Sequence, residues 1–126
     1  MDFSYTDEQL LLVDSIKEFC ERNFDEQKIA DMYANGAMSD ELIKAYLDAG
    51  FGLMGIPEEQ GGVPCDRVTL GVLTEQFAHY AGCVTPLLNN TLAMCDLIDF
   101  GSPEQVEMAM EEYMKSGKPI FSLGFS

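Results

Sequence analysis

The sequence predicts an all-α fold, a multi-helix bundle of about six helices in an orthogonal or up-and-down arrangement, with the start of a β-strand at its C-terminal end. Three observations carry that prediction. Apolar residues recur at intervals of three and four along most of the chain, which places them on one face of a helix. Ser, Thr or Asp stands ahead of most of these stripes, where a side-chain oxygen can accept from the otherwise unpaired first amides of a helix. Glycine stands where most stripes stop, at Gly36, Gly50, Gly82, Gly101 and Gly117.

Thr6-Asp7-Glu8-Gln9 opens the first helix as a capping box, with Leu12, Ile16 and Phe19 on one face. A shorter helix over 26–33 turns Ile29 and Met32 or Tyr33 inward and breaks at Asn35-Gly36. Ser39 caps the third, Asp40 and Glu41 favour its positive end, and Leu42, Ala45 and Tyr46 form its stripe. Residues 51–65 are denied regular helix by Gly52, Gly55, Pro57, Gly61, Gly62 and Pro64, while Phe51, Leu53, Met54 and Ile56 demand burial; this is a long tethered loop. Asp66 is placed to cap the fourth helix, with Leu70, Leu73 and Phe77 at helical spacing. Thr85-Pro86 gives an N-cap and a proline at the first helical position of the fifth, whose Leu88, Leu92 and Cys95 share a side. Ser102-Pro103-Glu104-Gln105 repeats the capping logic for the sixth, with Val106, Met110 and Tyr113 or Met114 inward. From Lys118 the pattern becomes a short apolar run that reads as an entering strand. The expected organisation is therefore a helical domain over 1–117 and the first strand or linker of a further β-domain over 118–126.

Composition narrows the function. Seven basic against 22 acidic residues give a formal charge of -15, which repels nucleic-acid backbones and anionic lipid surfaces and disfavours holding the phosphates of a cofactor. No apolar run reaches the roughly 20 residues of a membrane span, and the first residues lack the pattern of a secretory signal, so a cytoplasmic location is expected. Cys20, Cys65, Cys83 and Cys95 form no CxxC pair and read as buried thiols; His79, the single histidine, has no second ligand at metal-site spacing. The carboxylates, among them Glu107, Glu111 and Glu112, fall on solvent faces, caps and loops, where ordinary solvation makes poor catalytic bases. Neighbouring Glu58 and Glu59 diverge in direction, Gly61-Gly62 lacks a phosphate-loop context, and the sequon Asn89-Asn90-Thr91 falls in a helix.

The order of these signals resembles the amino-terminal helical domain of the flavin-dependent acyl-CoA dehydrogenases. The resemblance rests on Met1-Asp2-Phe3-Ser4-Tyr5-Thr6-Asp7-Glu8-Gln9, on Gly50 through Gly62 with its Pro57-Glu58-Glu59-Gln60-Gly61-Gly62 core, and on Gly101-Ser102-Pro103-Glu104-Gln105. It implies FAD in the full-length protein, α,β-desaturation of an acyl-CoA thioester within fatty acid metabolism, and further middle and C-terminal domains that carry the catalytic base. It also implies that the fifth helix lines the acyl channel, with Val84, Leu88, Asn89 and Leu92 toward the substrate and Thr91 as a further polar contact. Leu123, Gly124, Phe125 and Ser126 would lie near the flavin, although Gly124-Phe125-Ser126 departs from the family's usual small or aromatic, aliphatic, threonine pattern. No residue of this chain is expected to be catalytic, and the chain alone is expected to hold no flavin tightly. Two other classes fit the composition: an acidic helical interaction module whose eight methionines suit adaptable apolar contact, and a structural subunit. Self-association is expected through an exposed apolar patch near Leu88, Leu92 and Phe121, with the segment 118–126 as one contact.

Overall fold

The computed structural model describes residues 4–82 and 85–124. Among them are six α-helices: α1 (Asp7–Asn23), α2 (Glu26–Asn35), α3 (Asp40–Asp48), α4 (Arg67–Ala81), α5 (Thr85–Phe100) and α6 (Pro103–Ser116). The glycine-rich stretch between α3 and α4 contributes two single 3-10 turns, Phe51–Leu53 and Glu58–Gln60. The all-helical class holds, with one isolated parallel bridge, Met54 to Val63, among the described residues. The chain divides into two compact units, the first built on α1, α2 and α4 and the second on α3, α5, α6 and the loop between α3 and α4.

Capping fixes the helix ends as the sequence implies. The Thr6 hydroxyl accepts from the Gln9 amide while the Gln9 side chain accepts from the Thr6 amide, and Ser102 and Gln105 make the same reciprocal pair. Ser39 caps α3 as expected, and Asp25, which sequence reasoning did not single out, caps α2 through its side chain. Gly36, Gly50 and Gly117 end α2, α3 and α6 with φ of 64°, 83° and 59°, a left-handed conformation that costs other residues energy. For α5 the helix already includes Thr85, one residue ahead of the predicted start.

In the first unit α1 packs on α4. Ile16 and Phe77 are fully buried, with Cys20, Leu70 and Leu73 beside them, and the Phe19 ring meets Phe77 edge-on at 5.9 Å. Gln9, itself buried, donates from Nε2 to the Thr69 hydroxyl at 3.1 Å, so one side chain both caps α1 and ties it to α4. Burial pushes the Cys20 thiol up to about 11, which keeps it protonated and inert at neutral pH. In α2, Met32 is the half-buried member of the predicted pair and Tyr33 is exposed.

In the second unit Ile56, Met94, Val106, Met110 and Tyr113 form one apolar cluster, with Leu53, Leu97 and Phe121 against it. Tyr113 is the inward member of the predicted pair, and Met114 is exposed. The loop closes on itself: the Gly55 amide donates to the Val63 carbonyl and the Val63 amide to the Leu53 carbonyl, each at 2.9 Å. The Tyr113 hydroxyl reaches down from α6 and donates to the Gly52 carbonyl at 2.9 Å, so a loop that must expose backbone has one of its acceptors satisfied inside.

Two buried phenols make this second unit sensitive to alkali. Burial pushes Tyr113 up to about 12, an effect partly offset by the Asn90 side chain, and burial raises Tyr46 further still. A pKa raised in the folded state means that the unfolded chain gives up its proton first as pH rises through about 10. The stabilisation is thus complete below pH ~10 and is lost as pH climbs toward the folded-state values. Above about pH 10 the last part of the tyrosinate absorbance should appear together with a loss of far-ultraviolet circular dichroism, whereas ionisation of all five tyrosines with no loss of helix would contradict this placement.

Candidate functional site

The described residues among those singled out for function lie on α5 and on the segment that follows α6. A helix core needs only part of its circumference, and in α5 the buried set is Leu87, Asn90, Thr91, Ala93, Met94 and Cys95. The predicted strip lies away from it. Leu88 is half-buried, Asn89 is exposed, and Leu92 is 51% exposed, although the sequence pattern placed Leu88, Leu92 and Cys95 together. Cys95 turns inward instead, with its thiol 3.8 Å from the Gly55 carbonyl, because it lies three residues beyond Leu92 and so nearer the Leu87–Met94 face. Val84 lies outside the described residues.

The segment 118–124 forms neither helix nor ladder. It is nevertheless fastened at successive points. Lys118 pairs with Asp40 at 2.9 Å, the Ile120 and Phe121 amides donate to the Asn90 Oδ1 at 2.9 and 3.0 Å, and the Phe121 ring lies 6.2 Å from that of Tyr113. Beyond these anchors Leu123 is 39% exposed, and a Cβ placed on Gly124 would meet nothing within 4 Å. Phe125 and Ser126 lie outside the described residues.

Asn90 is the residue that sequence reasoning passed over. It is 2% exposed, its Nδ2 faces the Met94 sulfur at 3.2 Å, and its carbonyl oxygen takes two main-chain amides. A buried amide in an otherwise apolar stripe needs partners for its polar atoms. That signal was available in the stripe Leu87–Asn90–Met94 and was masked by the sequon around it.

No carboxylate among the described residues is buried. Glu104 is held below the usual carboxylate range by its own backbone amide at the start of α6 and by the Ser102 hydroxyl, the opposite of what a general base needs. No group of three or more His, Cys, Asp or Glu suited to a metal occurs among the described residues. A groove of about 710 Å³ opens where the turn at Glu58–Gln60 meets the C-terminal end of α5 and one side of α6 from Pro103 to Met114. Ile98, Val106 and Met110 are in its lining with Glu59, Glu107 and Glu111, and none of the predicted site residues borders it. No helix among the described residues is long and apolar enough to cross a membrane.

Among the described residues, then, α5 carries Leu88 and Leu92 outside its buried face, the segment after α6 is held by Asn90, and the carboxylates are all at least partly exposed. The chain belongs to the acyl-CoA dehydrogenase family: residues 6–116 match the acyl-CoA dehydrogenase N-terminal domain. It is 35% identical over 126 residues to the probable acyl-CoA dehydrogenase YdiO of Escherichia coli strain K12, and equally to the proteins of that name in E. coli O6:H1 and O157:H7. Each match covers 100% of this chain and 33% of the relative, so the chain spans about a third of the length of these curated relatives. No solved structure matches it.

Proposed function

We propose that this chain is the N-terminal wall of an acyl-CoA dehydrogenase that desaturates an acyl thioester with FAD as the hydride acceptor. The observation that carries this reading is the apolar strip of Leu88 and Leu92, left outside the core of α5. A solvated leucine that is half exposed gains little for folding, and an apolar wall to a substrate tail is what such a strip provides once a pocket closes over it. Val84 would add a further apolar side chain to this wall, and Asn89 would place a polar group at the margin of the strip.

The chain's share in the cofactor site is limited by its own composition. Leu123 and the open backbone of Gly124 fit contact with a flat, largely apolar flavin ring, and Phe125 and Ser126 would continue that edge. Nothing from Pro119 to Gly124 carries a positive charge, so the diphosphate must be held by other residues. FAD, when bound, accepts the hydride leaving the β-carbon; the α-proton requires a carboxylate in a dry site, which the described residues do not offer. What these residues do is exclude water along the acyl tail and hold the segment that meets the ring.

Expression of the complete reading frame that carries these residues tests the proposal. A yellow protein that reduces an artificial electron acceptor with one or more members of an acyl-CoA panel supports it; a colourless protein inert to the whole panel refutes it. Within that protein Leu92→Ala should leave thermal stability within about 0.5 kcal/mol, as expected of an exposed position, while raising KM for long acyl chains more than for short ones. An equal loss across chain lengths would remove Leu92 from the wall.

A further inference from the structure

We propose that Asn90 is a positioning residue that sets where the flavin-facing segment lies relative to the acyl-facing strip, an inference that rests on the acyl-CoA dehydrogenase reading. Leu88 and Leu92 each lie two residues from Asn90, which puts them about 160° away round a helix of 3.6 residues per turn. A single rigid helix therefore presents the strip on one side and grips the segment 118–124 on the other. The grip is specific. One carbonyl oxygen accepts from two consecutive amides at 2.9 and 3.0 Å, a demand that an irregular segment without a ladder makes on its surroundings.

The chemistry of the site selects this residue type. The Oδ1 serves two donors while the Nδ2 faces the Met94 sulfur, a weak acceptor, and the side chain also meets the Tyr113 hydroxyl, so none of its partners is charged. A leucine at the same place would fill the volume and leave both amides of Ile120 and Phe121 without their protein acceptor, open to water instead, in a segment whose Phe121 ring lies against Tyr113. The other anchors, the Lys118–Asp40 pair, the Ser116 hydroxyl on the Lys118 backbone and the Phe121 ring, hold the segment against the unit without contacting α5 through a directional bond. An exposed ion pair is weak, and an apolar contact is non-directional. The two amide bonds are the directional restraint between the helix and the residues three positions further on.

Two variants of the protein from the complete reading frame test this: Asn90→Leu, which removes the acceptor, and Asn90→Asp, which keeps an oxygen in place. In Asn90→Leu, hydrogen exchange at the Ile120 and Phe121 amides should accelerate about tenfold or more while α5 and α6 keep their protection, and the visible absorption bands of the bound flavin should shift. Asn90→Asp should return both toward wild type. Should Asn90→Leu fail to fold, Ile120→Pro removes one of the two donors without touching α5 and should shift the flavin bands in the same direction. Faster exchange with unchanged flavin bands would overturn the positioning role and leave the acyl-CoA dehydrogenase reading standing. Unchanged exchange in Asn90→Leu would overturn the anchor itself. A wild-type product without flavin would remove the reading and this inference with it.

Discussion

Replacement of Phe77 by alanine is expected to cost about 3–5 kcal/mol, the range for deleting a fully buried aromatic side chain. Phe77 is 0% exposed at the centre of the α1–α4 contact, where its ring meets Phe19, and Ile16 and Leu73 are at 0% and 1%. The first unit draws its core from few large residues, so a cavity here removes a sizeable share of its stabilisation. The second unit has its own cluster around Ile56 and Met110. Chemical denaturation followed residue by residue should therefore show α1 and α4 losing protection first. A midpoint within error of wild type, with α1 and α4 unaffected, would show that Phe77 is not the keystone its burial implies.

The second large effect is expected at Gly62, the last residue of the motif Pro57-Glu58-Glu59-Gln60-Gly61-Gly62. A Cβ at this position would fall on the Ile56 Cβ, carbonyl oxygen and carbonyl carbon, far inside van der Waals contact. Backbone cannot rotate aside as a side-chain tip can, so Gly62→Ala must displace either the loop or Ile56, which is fully buried. We expect a loss of about 3 kcal/mol, the upper part of the range for overpacking, and opening of the Met54–Val63 bridge. The neighbouring Gly61→Ala acts by a different cause. Its Cβ would meet open space, and the cost of about 1 kcal/mol comes from its φ of 80°. Thermal melts of the two variants should rank Gly62→Ala well below Gly61→Ala; the reverse order would mean that backbone conformation, not close approach, is what the glycine pair secures.

Much of the architecture was legible because its causes are local. Thr6 with Gln9 and Ser102 with Gln105 announce helix starts by a chemistry that needs no tertiary partner, and both boxes form. Gly36, Gly50 and Gly117 end helices through their own dihedral freedom. The site was less legible because its causes are distant in sequence. Apolar spacing alone put Leu92 in line with Cys95, yet which side of α5 is buried depends on the loop and α6 that pack against it, and Leu92 ends up exposed. Whether Met32 or Tyr33, and Tyr113 or Met114, turned inward was likewise undecided by period alone. Asn90 shows the limit most plainly: its partners are 30 and 31 residues away, and no local pattern marks an amide as the acceptor for a segment that far along.

The proposal that this chain shapes a pocket and leaves the chemistry to other residues is tested most directly by the 126-residue chain itself. Purified and mixed with FAD and an acyl-CoA panel under anaerobic conditions, it should retain no stoichiometric flavin through gel filtration and should leave the added flavin oxidised. Bleaching of the flavin on addition of an acyl-CoA, at a rate above that of flavin and substrate alone, would show a base and a hydride-transfer site within these residues and contradict the account.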